Sequence, residues 1–77
     1  MDWEQQAEKK FKQLIAKLPF FHRHIAEQVV IKKAEELASQ RGSHQIEEPD
    51  LAQAFRSEVP EVFKTYLDQL LEDVDLK

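Results

Sequence analysis

KLPFFHRHIAEQVV, residues 17–30, decides how this chain folds. Its proline interrupts one helical pattern, and two phenylalanines, an arginine and two histidines then open another. The residue before a proline is pushed out of the α region, so Pro19 ends whatever helix precedes it. Working back from that break, Trp3, Ala7, Phe11, Leu14, Ile15 and Leu18 recur at steps of three and four. They form one face of a first helix over about residues 2–18, with Asp2 as its expected N-cap.

Working forward, a second helix is expected over about residues 20–41, closed by Gly42, whose tolerance of positive φ suits a C-terminal cap. It carries two apolar stripes. Ala26, Val30, Ile31, Ala34, Leu37 and Ala38 form a broad one, and Phe21, Ile25 and Val29 form a narrower one rotated round the cylinder. A helix apolar on two sides is normally packed on both, which makes helix two central. GSHQ then reads as a short loop, with Ile46 plugging into the core. EEPDLAQAF starts a third helix (about 48–56) with acidic residues and Pro49 in its first turn, where the dipole and the absent N–H favour them. After SEVP, eight apolar residues from Val59 to Val74 make a continuous stripe for a fourth helix, about 59–74. With one glycine, three prolines and no strand-like alternation, the chain reads as an all-α bundle of four helices forming a single domain over 1–77.

Composition excludes several kinds of chemistry. Without cysteine there is no disulfide, thiolate-bound zinc, cysteine-held iron–sulfur cluster or cysteine nucleophile. A single glycine leaves no glycine-rich phosphate loop. Adjacent carboxylates such as Glu35/Glu36 and Glu47/Glu48 diverge on a helix rather than converge on a substrate. No enzymatic activity and no cofactor is expected. No apolar run reaches a membrane span, and DWEQQAEKK lacks the basic-then-apolar order of a signal peptide, so the expected location is cytoplasmic. Net charge is −4, which argues against a general nucleic-acid binder. The charge is uneven: residues 1–46 carry 8 Lys/Arg against 6 Asp/Glu, and residues 47–77 carry 3 against 9. Such a chain can orient a partner or pair with itself, so a monomer or a weak homodimer is expected.

The candidate binding residues are Phe20, Phe21, His22, Arg23 and His24. His22 and His24 point about 200° apart on a helix and cannot grip one metal, and His44 sits in a loop, so no metal site is expected. Arg23 and Glu27 have the spacing of an exposed helical ion pair. Phe20 and Phe21 point about 100° apart and are expected to be core rings. The alternative is that Phe21, Ile25 and Val29 line a groove for an apolar ligand or a partner helix. The fourth helix is expected to pack in cis over that stripe, closing the groove and leaving only its edge, Phe20 with His22, Arg23 or His24; the alternative is packing in trans to make a dimer.

Trp3 with Ala7, a helix ending in proline, then Pro19, Phe20, Phe21 and Arg23 resemble the small helical domain at the carboxyl end of the B subunit of light-independent protochlorophyllide reductase. Glu35, Glu36, Leu37, Ala38 and Gly42, followed by Ile46 before a new helix, extend the resemblance over residues 3 to about 56. The two helices flanking the hinge are each about one turn longer here than in that pattern, and Glu47 stands where a threonine usually caps the third helix. The fourth helix lies beyond the matched part. That enzyme reduces a chlorophyll precursor with iron–sulfur clusters and ATP, but its ligands and catalytic residues lie outside this domain and no position here inherits them. The resemblance implies a stand-alone accessory module from a photosynthetic organism such as a cyanobacterium. Its implied partner is a protein complex of tetrapyrrole biosynthesis or a tetrapyrrole itself. A second resemblance, a long helix followed by EPDLAQA at Glu48–Ala54, is to the second half of a histone fold. It would imply dimerisation through the long helix and DNA binding.

Overall fold

A computed structural model describes residues 1–76 and shows an all-α bundle of four helices. A two-residue strand, β1 (Asp2–Trp3), leads into α1 (Gln5–Ala16), followed by α2 (Phe20–Gln40). A second short strand, β2 (Gln45–Ile46), precedes α3 (Glu48–Glu58). A 3-10 turn (Glu61–Phe63) then runs into α4 (Lys64–Asp73). A 21-residue helix is about 31 Å long, and α2 matches the longest dimension of the molecule, 31 Å.

The first departure from expectation is at the amino end. Asp2 does not cap α1; Asp2 and Trp3 instead pair in parallel with Gln45 and Ile46. Glu4 takes the N-cap, its carboxylate accepting the Gln6 and Ala7 N–H groups at 3.0 Å. Its own N–H donates to the Ile46 carbonyl at 2.8 Å. This tether places Trp3 against the core, half-buried rather than fully so, with its ring 5.0 Å from that of Phe11.

The core runs from Phe11, Leu14 and Ile15 of α1, through Val30, Ala34 and Ala38 of α2, to Leu51, Ala54 and Phe55 of α3. Ile46 is fully buried between them, as its lone apolar position in the loop predicts. The broad stripe of α2 therefore behaves as expected. Its small alanines let α3 lie close along it, and α3 buries four apolar residues, Leu51, Ala52, Ala54 and Phe55, together with Asp50.

Two helices end in the same way. After α2, the Ser43 N–H reaches the Ala38 carbonyl and the Gly42 N–H that of Ser39, with Gly42 at φ 78°. After α4, the Leu76 N–H reaches Leu71 and the Asp75 N–H reaches Glu72, with Asp75 at φ 57°. Both are Schellman endings, and the second turns Leu76 wholly into the core.

The carboxyl arm is the second departure. Val59 is extended and Pro60 cannot continue a helix, so the expected helix from 59 breaks into the 3-10 turn and α4. Leu67, Leu71, Val74 and Leu76 join the core of the same chain, while Val62, Phe63 and Tyr66 remain exposed. The arm packs in cis, but it does not lie over Phe21, Ile25 and Val29.

Candidate functional site: an open apolar groove

Pro19 is the N-cap of α2, and its fixed φ turns the chain sharply off α1. The last carbonyls of α1 would be left without partners at this turn. Arg23 reaches back to them: its Nε donates to the Leu18 carbonyl and a terminal nitrogen to that of Ala16, both at 2.9 Å. Arg23 is thus a clamp on the α1–α2 hinge, and the ion pair with Glu27 that its spacing predicts does not form.

Phe20 and Phe21 are not core rings. They are 78% and 63% exposed, and stand edge to face with centroids 5.7 Å apart. Both sit in the first turn of α2, directly after Pro19. Phe21 also leans on the His22 ring at 4.3 Å. His24 and His44 are exposed and separate from this cluster.

Behind the two rings lies a groove of about 660 Å³, between the amino half of α2 and the arm formed by the 3-10 turn and α4. Leu14 and Phe55 floor it, Ile25 and Val29 form one bank, and Phe63 and Tyr66 form the other. His22, Glu58 and the Tyr66 phenol are the polar side-chain groups on its lining. Beyond Val29 a smaller recess of about 320 Å³ adds Lys32, Lys33 and Glu36 beside Glu58. Of the five candidate residues, only His22 lines the groove. Phe20 and Phe21 stand beside it, Arg23 supports it from the hinge, and His24 lies outside it. The size and apolar walls suit an elongated apolar ligand or the side chains of a partner.

Two polar clusters hold the frame, and periodicity gives no sign of either. Arg41 makes a two-point contact with Asp50, Nε to Oδ1 at 2.8 Å and a terminal nitrogen to Oδ2 at 2.5 Å. Asp50 also accepts the Glu47 N–H at 2.9 Å, the N3 half of a capping box on α3. The Arg41 bonds hold the Asp50 carboxyl below its usual range, and Arg41 is shifted upward in return. Lys10 bridges α1 to the Glu48 carboxylate and to the Asp75 carbonyl, tying down the α4 ending; the Glu48 bond raises its pKa.

Among the described residues no buried side-chain nitrogen or oxygen lacks a partner, no group of three acidic or histidine side chains could hold a metal, and no helix is long and apolar enough to cross a membrane. No protein-family model matches the chain, no curated protein matches its sequence and no solved structure matches its fold.

Proposed function

We propose that this chain is a non-catalytic binding and assembly module that works through the groove between α2 and the α4 arm. The observation that carries the reading is the uncovered Ile25 and Val29 bank, facing Phe63 and Tyr66 across an apolar floor, with Phe21 exposed beside it. Leaving that much apolar surface in water is costly, at about 25 cal/mol per Å², and an occupant would remove the cost.

The resemblance to the accessory domain of light-independent protochlorophyllide reductase gives the reading a direction. It points to a cytoplasmic complex of tetrapyrrole biosynthesis, or a tetrapyrrole, as the partner. The matched Pro19, Phe20, Phe21 and Arg23 are the residues that build the hinge and the two rings beside the groove. Against the histone-like alternative stands the long helix itself. Its Val30, Ala34 and Ala38 stripe packs against α3 within the chain, and the net charge is −4.

The test is a fluorescence titration with anilinonaphthalene sulfonate at low protein concentration, repeated with protoporphyrin IX as competitor. Binding by the native chain that is lost in Ile25→Glu supports the groove as the site, and displacement by the porphyrin supports the tetrapyrrole link. Binding unaffected by Ile25→Glu removes the groove from the function.

A further inference from the structure

The groove has a property that a ligand pocket does not require: a projecting knob of matching chemistry stands next to it on the same chain. The Phe20–Phe21 pair projects from the first turn of α2, and Pro19 and His22 on either side of it line the groove. A surface carrying both a knob and a hole is complementary to itself. Two copies related by a two-fold axis near His22 can each place the aromatic pair in the other's groove, the reciprocal contact of an isologous dimer.

The exposed area fits this occupant. Phe20, Phe21, Phe63 and Tyr66 are 78%, 63%, 54% and 54% exposed, so at about 200 Å² per ring they present on the order of 500 Å². Ile25 and Val29 add to that, taking the face past the roughly 300–600 Å² that a monomer's largest apolar patch usually spans. A standard interface buries about 800 Å² per partner, with an apolar centre and a polar rim. The rings and stripe supply the centre, and His22, Glu58 and the Lys32/Lys33 recess supply the rim.

We infer that the groove's partner is a second copy of this chain, giving a two-fold dimer in which the Phe20–Phe21 pair of each copy enters the other's groove. This rests on the groove being the functional site and names its occupant. Each chain carries −4, so the contact forms against charge repulsion, and screening by salt strengthens it.

Sedimentation velocity over a series from low micromolar to submillimolar protein tests the inference. The native chain should shift from monomer to dimer, and added salt should move the midpoint to lower concentration. Phe21→Glu and Ile25→Glu, both at exposed positions and checked for native helicity, should each weaken the dimer about tenfold or more, as loss of a central contact does. Anilinonaphthalene sulfonate bound per chain should fall as the dimer forms. A chain that stays monomeric throughout overturns the inference, as does a dimer indifferent to both substitutions. Failure of the dimer alone is distinguishable from failure of the groove, because a monomer with an open groove still binds the dye and loses it in Ile25→Glu.

Discussion

Arg41 and Asp50 meet in a two-point contact, with Nε 2.8 Å from Oδ1, and so lock the residue that ends α2 to the first turn of α3. Asp50 is 3% exposed while Arg41 is half-exposed, so the pair is an acid buried under its own cation. Removing the cation is the worse injury. Arg41→Ala strands the carboxylate and should cost more than Asp50→Asn, which still fills the site. Equal losses in chemical denaturation would show that the pair acts only through packing.

The same contact sets a pH dependence. Asp50 has a lower pKa folded than unfolded, so its contribution is fully present above its ordinary value of 3.8 and is lost as pH falls through the depressed folded value. Native stability should therefore fall more steeply below about pH 4 than that of Asp50→Asn. Parallel acid curves for the two would remove Asp50 from the acid response.

Arg23 is a hinge clamp, so its loss should destabilise the fold while the loss of its expected ion-pair partner should not. Arg23→Ala should cost about 1–2 kcal/mol by freeing the Ala16 carbonyl at the end of α1 and the Leu18 carbonyl in the turn after it. Glu27→Ala should change stability by less than about 0.5 kcal/mol. Melting curves of the two variants decide it, and equal losses would restore the ion pair.

The carboxyl arm is part of the core through Leu67, Leu71, Val74 and Leu76. Each such side chain contributes about 1.5–3 kcal/mol on full burial, in sum comparable to the whole stability of a domain this small. A chain truncated after Arg56 should therefore lose cooperative unfolding. A truncated chain with native circular dichroism and melting behaviour would show that the arm is an appendage.

What the sequence reveals, and what it hides, follows from what periodicity measures. The α1 stripe of Ala7, Phe11, Leu14 and Ile15 and the Gly42 cap are local consequences of local residues, and both are legible. Asp2 reads as a cap because its partner across β1 and β2, Gln45, is forty-three residues away and leaves no local trace. Arg41 and Asp50 are hidden for the same reason. The stripe of Phe21, Ile25 and Val29 shows that three residues share a face, but not whether another element covers it. A central helix with two apolar faces predicts cover; Pro60 steers the arm elsewhere, and the face stays open. The candidate residues thus sit at the α1–α2 hinge beside the groove, while the groove walls on Phe63 and Tyr66 belong to a segment whose apolar stripe reads as one continuous helix face.

The openness of that face is most directly tested by the stability of Ile25→Glu, measured at low protein concentration where chains are monomeric. Ile25 is 62% exposed on the groove bank, so a charge there should remain hydrated and change the unfolding free energy by no more than about 0.5 kcal/mol. A loss of about 3 kcal/mol or more, the cost of burying an unpaired carboxylate, would mean that α4 covers the stripe and that no open groove exists.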